Sequence, residues 1–161
     1  MKQLFLIRHA KSSWTEQGLR DHDRPLAGRG RRQLTLMGAI VRAAGALDGP
    51  VFCSTATRAR QTLSGLLSDE VPARIAFDPD LYTFDYRDLL DWLGKRDEDR
   101  LTLVGHNPAL EELVEYLLHD GPGHLPTCSF LHIELAVQGW HDLDGKPGQL
   151  LRFATPKTVG G

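Results

Sequence analysis

A chain of 161 residues, 41% hydrophobic and 25% charged, has the composition of an ordinary folded globule and enough length to bury a core. Its net charge of −2 supplies no global field for nucleic acid or an anionic membrane, and no apolar run nears the ~20 residues of a transmembrane span. Two cysteines, Cys53 and Cys128, make no disulfide framework and suit a reducing compartment. The short apolar run at the start enters Arg8-His9 and does not read as a signal peptide. The expectation is one domain over residues 1–161, cytoplasmic, with neither nucleic acid nor membrane as partner.

The first strand is expected at residues 3–7, where Leu4, Phe5, Leu6 and Ile7 run directly into Arg8 and His9. From Lys11 to Gly30 the chain is polar and punctuated by Gly18, Pro25, Gly28 and Gly30, so it reads as a loop that covers something. After Arg31 the period changes: Leu34, Met37, Val41 and Ala44 mark one face of a helix ending near Gly45. A buried strand at residues 50–53 runs into Ser54-Thr55-Ala56-Thr57, which offers caps for a helix with Ala59, Leu63, Leu66 and Leu67 inward.

A third strand is expected at residues 73–77. Asp85 then caps a helix with Leu89, Leu90 and Leu93 inward, and a fourth strand at residues 101–104 ends in Gly105-His106. Asn107-Pro108 places a cap and an N1 proline before a helix faced by Leu110, Leu113, Leu117 and Leu118. Strands at residues 130–137 and 150–154 close the chain as an antiparallel pair. The order β-α-β-α-β-α-β-α-β-β predicts a three-layer α/β/α sandwich with a mostly parallel central sheet and a C-terminal antiparallel hairpin.

Three of these strands end in related residues. The first delivers Arg8 and His9, the second Arg58 one step into its helix, and the fourth His106. In a parallel sheet all four meet at one rim, the place where open α/β sheets bind ligands. Two guanidiniums fork onto phosphoryl oxygens, and a helix N-terminus near Arg58 adds to the field. A neutral His9 beside them suits nucleophilic phosphoryl transfer, its second ring nitrogen held by a carbonyl or carboxylate.

These residues resemble the histidine phosphatase (phosphoglycerate mutase-like) superfamily, and more closely its SixA-like phosphohistidine phosphatase branch. The likeness runs through Leu6-Ile7-Arg8-His9-Ala10-Lys11-Ser12, Arg24-Pro25-Leu26, the Ser54 to Thr62 stretch, Val104-Gly105-His106-Asn107-Pro108 and Pro156-Lys157. It implies His9 as nucleophile and Arg8, Arg58 and His106 as phosphate ligands, with no cofactor and no metal. Ala10 stands where the superfamily carries glycine. Larger members also place a glutamate between the two histidines as general acid. Here Glu16, Glu70 and Glu98 fall where no strand presents them, leaving Asp80 and Asp85 as candidate proton donors. A phosphohistidine substrate dispenses with a strong acid, because a protonated phosphoimidazole leaves as a neutral ring.

The resemblance implies hydrolysis of phosphohistidine on signalling or phosphotransfer proteins through a phosphohistidine enzyme intermediate. The alternatives are a small-molecule phosphomonoesterase with the same intermediate and a non-catalytic phosphate-binding module. A cysteine phosphatase is rejected, since its loop requires Cys-x5-Arg and only four residues separate Cys53 from Arg58. His119, His124, His132 and Cys128 match no common zinc spacing. Arg20, Arg24, Arg29, Arg31 and Arg32 read as a solvated basic cluster, and Trp14, Trp92 and Trp140 as packing residues.

Overall fold

The computed structural model describes residues 1–67 and 74–160. Six strands, β1 (Lys2–Arg8), β2 (Pro50–Ser54), β3 (Arg74–Asp78), β4 (Arg100–Gly105), β5 (Phe130–Leu135) and β6 (Gln149–Ala154), form one sheet in the order β3-β2-β4-β1-β5-β6. The four strands from β3 to β1 are parallel, while β5 runs antiparallel to both β1 and β6. This is the mostly parallel sheet with a C-terminal hairpin that the element order predicts. Ala73, expected to open the third strand, and Glu70 lie outside the described residues.

Period-two alternation divides each central strand between two cores. Leu4 and Leu6 of β1, with Leu101 and Leu103 of β4, pack against helices α3 (Tyr86–Leu93) and α4 (Ala109–Leu118). Phe5, Ile7 and Val104 point the other way. They meet Leu34, Met37 and Val41 of α1 (Gly28–Ala43) and Leu63 and Leu66 of α2 (Thr57–Leu66). A strand apolar on both faces is stable only when covered on both, so the unbroken Leu-Phe-Leu-Ile run itself requires the three layers. A short helix α5 (Pro156–Gly160) follows β6 and packs on α1.

Helix starts differ from expectation for identifiable reasons. Helix α1 begins at Gly28, ahead of Arg31, because Gly30 is a point of close approach and not a loop residue. A Cβ there would collide with the backbone carbonyl of Lys11. Helix α2 has Ala56 at its N-cap with no side-chain cap, while Ser54 Oγ accepts from Ala56 N at 3.2 Å. Helix α4 begins at Ala109, with Pro108 at the cap position and a cis Asn107–Pro108 peptide. Asn107 Oδ1 accepts from Glu111 N at 3.3 Å. Asp85 caps α3 as expected, accepting from Arg87 N.

The register brings the strand ends level. Arg8 pairs with Gly105, Cys53 lies opposite Val104, and Ser54 pairs with Asp78. Four carboxyl ends therefore share one rim.

Candidate active site

Strand β1 delivers its last two residues to that rim under tight backbone control. Arg8 N donates to Ser129 O, His9 N donates to Gly105 O, and Cys128 N donates to His9 O. His9 is buried, with 7% of its surface exposed. Its Nδ1 lies 2.7 Å from Ala10 O, so Nδ1 carries the ring proton and Nε2 the lone pair. Arg58 Nε donates to that Nε2 at 3.3 Å. Burial first, then the charges of Arg58, Arg8 and Arg24, bring the His9 pKa down to about 3, although the Ala10 carbonyl pushes back. His9 is a neutral imidazole at physiological pH, with its nucleophilic nitrogen set against a guanidinium. Ala10, the departure from glycine, is fully buried, and its N–H donates to Thr62 Oγ1 at 2.9 Å.

His106 follows β4, its ring centroid 5.2 Å from that of His9. Its Nε2 sits 2.7 Å from Ser54 Oγ. Ser54 Oγ also accepts from Ala56 N, which ties that edge of the ring to the start of α2 and leaves Nδ1 on the other. That Nδ1, like Arg8 Nε, is buried without a protein hydrogen-bond partner. Burial, then the neighbouring His9 and Arg58, pull the His106 pKa down to about 2. Arg8 donates from Nη1 to Leu125 O at 2.8 Å, and burial lowers its pKa.

Arg58, 2% exposed near the start of α2, is the hub. Besides touching His9, it donates from Nη1 to Asp21 O at 2.7 Å and from Nη2 to Asp21 Oδ2 at 2.9 Å. Asp21 sits in a 3-10 turn, Asp21–Asp23, inside the polar loop after β1. Tyr82 Oη donates to the same Asp21 Oδ2 at 2.5 Å, and Arg24 Nε donates to Oδ1 at 3.3 Å. Burial pushes the Asp21 carboxyl up, but Tyr82, Arg58 and Arg24 outweigh it and hold the pKa at about 2. Tyr82 stands edge-on to His106 at 5.4 Å, and Phe84, 46% exposed, lies 5.6 Å from the same ring.

The structure thus brings His9, Arg58 and His106 together, with Arg8 close behind. Among the described residues, no hydrogen bond or ion pair joins Asp80 or Asp85 to them. Asp85 is committed to its helix: Oδ1 accepts from Arg87 N and Nε, and Oδ2 from Arg87 Nη2. Asp80 occupies the turn after β3, where its N–H donates to Asp78 Oδ1, and it lines a surface cavity of about 420 Å³ with Tyr82, Asp88, Asp91 and Lys95. The carboxylate that enters the site is Asp21, which sequence reasoning overlooked along with Tyr82 and Phe84. The signal was present, because β3 ends on the same rim and the loop after it had to pass nearby.

The basic cluster also divides. Arg24 is buried against Asp21, donates to Ser13 O, and stacks 3.4 Å from the Trp14 ring centroid, whereas Arg29, Arg31 and Arg32 are exposed. Trp92 and Trp140 are core residues as expected, but Trp14 is 72% exposed on the loop that carries Asp21. Cys53 is fully buried and burial raises its thiol pKa to about 12, so no thiolate forms there.

A parallel sheet presenting a neutral histidine against buried guanidiniums defines an α/β site suited to tetrahedral oxyanions. Comparison with known proteins places it further. The family model described as Histidine phosphatase superfamily (branch 1) matches residues 4–98. In structure the chain is similar to the candidate phosphohistidine phosphatase SixA from Nakamurella multipartitia, with a TM-score of 0.79 and 26% identity over 96% of each chain. It shares the fold of the protein histidine phosphatase SixA complexed with tungstate, with a TM-score of 0.76 and 21% identity over 98% of this chain and 99% of that one. An uncharacterized protein of Mycobacterium tuberculosis is 42% identical over 109 residues, covering 66% of this chain and 66% of its own length. An uncharacterized chloroplastic protein of Arabidopsis thaliana is 28% identical over 153 residues, 88% of this chain and 70% of that protein. The chain belongs to the histidine phosphatase superfamily, branch 1, and in structure it is similar to SixA.

Proposed function

We propose that this protein hydrolyses phosphohistidine on signalling or phosphotransfer proteins, through a phosphohistidine intermediate on His9. The reading rests chiefly on one observation: His9 Nδ1 is tied to the Ala10 carbonyl while Nε2 faces Arg58. A fixed tautomer of a neutral ring is what in-line attack on phosphorus requires. Arg8, Arg58 and His106 then stabilise the equatorial oxygens. One preorganised donor of this kind is worth ~10²–10³ in rate.

Water completes the cycle by attacking the phosphorus of the His9 intermediate, which returns His9 and releases phosphate. No step in this reading calls on a metal ion. The choice of a protein substrate is supported by exposed aromatic surface, since Phe84, beside His106, is 46% exposed and Trp14, stacked on Arg24, is 72% exposed. The test is a panel of a histidine-phosphorylated carrier protein, an aryl phosphate and sugar phosphates, each assayed with chelator. The expected result is preferred turnover of the carrier protein, with an acid-labile, base-stable phosphoryl label trapped on wild type and absent from His9→Ala. Turnover of sugar phosphates in preference to the carrier would favour a small-molecule phosphomonoesterase. No turnover by folded protein would leave a phosphate-binding module.

A further inference from the structure

We propose that Asp21, with the rings of Tyr82 and Phe84, forms a subsite for the departing group, and that it selects a protonated imidazole over a phenol or alcohol. This deepens the phosphohistidine reading and rests on it. In-line transfer puts nucleophile and leaving group on opposite sides of phosphorus. His9 is at the buried floor, so the leaving group lies toward the open side. What stands at that edge is a carboxylate and two aromatic rings. Asp21 is one guanidinium away from the nucleophile through Arg58, and its side chain is 42% exposed. Tyr82 and Phe84 pack edge-on at 5.5 Å, with Phe84 open to solvent.

An anion placed beside a phosphate site is a liability for most phosphate esters. A phosphomonoester dianion brings only negative charge, and a departing phenolate or alkoxide adds more. A protonated phosphoimidazole differs, because its ring is cationic and carries an N–H on the nitrogen remote from phosphorus. Carboxylate and aromatic faces are the groups that hold such a ring. The chemistry then balances without an acid. His9 Nε2 bonds to phosphorus as the P–N bond breaks, and that electron pair goes to the departing nitrogen. The proton already on the other ring nitrogen leaves with the ring, which departs neutral. Asp21 holds that N–H in the reactant and so favours the reactive protonated form.

The groups facing Asp21 are Arg58 from α2, Arg24 from its own loop, and Tyr82 from the loop after β3. The His106 ring, which follows β4, stands within the range of its charge. The test compares N-phosphoimidazole with an aryl phosphate across pH for wild type, Asp21→Asn, Asp21→Glu and Phe84→Ala. Asp21→Asn is expected to lower the ratio of kcat/KM for phosphoimidazole over aryl phosphate about tenfold, the scale of one charged hydrogen bond. In the kcat profile it also moves the alkaline limb for phosphoimidazole to lower pH, because the bound ring loses its anion and deprotonates earlier. Asp21→Glu restores part of both effects, and Phe84→Ala shifts the ratio in the same direction by less.

Parallel loss on both substrates with an unmoved limb would overturn the subsite and leave Asp21 as a support for Arg58. If Asp21→Asn does not fold, Phe84→Ala and the wild-type profile still decide, and an unchanged ratio for Phe84→Ala counts against the subsite. Wild type that turns over aryl phosphate and ignores phosphoimidazole would instead sink the phosphohistidine reading itself.

Discussion

His9, Arg58 and His106 are 7%, 2% and 1% exposed, whereas Asp21, Tyr82 and Phe84 stand around them at the solvent edge. The first group hangs from strand ends and a helix start, and its positions are set by sheet register. The second group rides on two loops, and its positions are set by side-chain contacts between those loops. Both are joined at Arg58, which donates to His9 on one side and to Asp21 on the other. The contrast suggests a division of labour in which the floor grips and attacks phosphorus while the rim reads what is attached to it.

The sharpest way to break that division is to remove floor groups and watch activity. His9→Ala deletes the nucleophile, and loss of such a group is expected to cost ~10⁴-fold or more in kcat. Activity within tenfold of wild type would end the idea of a His9 intermediate. Arg58→Ala is expected to cost ~10²–10³-fold, the worth of one oxyanion donor. Arg58→Lys should recover little, because an ammonium lacks the planar fork that reaches His9 and Asp21 together. Steady-state kinetics on an aryl phosphate measures both.

Floor and rim also differed in how far they could be read from the residues alone. Leu4-Phe5-Leu6-Ile7 demanded a doubly covered strand, and a parallel sheet sends Arg8, Arg58 and His106 to one edge whatever the loops do. Asp21 had no such constraint. It lies in a polar stretch whose path depends on long-range bonds: Ser13 N to Pro25 O at 2.8 Å, Ala27 N to Lys11 O at 2.9 Å and Leu26 N to Gln61 Oε1 at 2.8 Å. No local propensity encodes those bonds. Gly30 misled for a related reason, since a glycine that admits a neighbouring backbone looks like a turn until that neighbour is known.

The two groups should separate again on a pH axis. The pKa of His9 is held at about 3 and that of His106 at about 2 in the folded protein, against about 6.5 for an unfolded histidine. Between those values the unfolded chain binds more protons, so stability is full above about pH 6.5 and is lost as pH falls toward 3. Each histidine contributes a slope of at most about 1.4 kcal/mol per pH unit in that window. Asp21, lowered to about 2 from 3.8, loses its contribution only below about pH 4. Denaturant melts at pH 7, 5.5 and 4.5 should therefore report the floor before the rim, and His9→Asn should flatten the upper window. A stability curve flat from pH 7 to 4.5 would mean that the two imidazoles titrate normally.

The smallest expected effect isolates the rim. Tyr82→Phe keeps the ring that stands edge-on to His106 and removes only the hydroxyl that donates to Asp21. Net loss of one hydrogen bond is expected to cost ~0.5–1.5 kcal/mol in a denaturant melt. Asp21 keeps its bonds from Arg58 and Arg24, so its pKa should rise toward the ordinary carboxylate value without reaching it. An NMR titration of the Asp21 carboxyl reads that rise directly. If Asp21 titrates at its ordinary value in Tyr82→Phe, the guanidiniums do not hold it, and the link between floor and rim runs through Tyr82 instead of Arg58. If it does not move at all, the hydroxyl is a bystander and Arg58 alone couples the residue that attacks to the residues that discriminate.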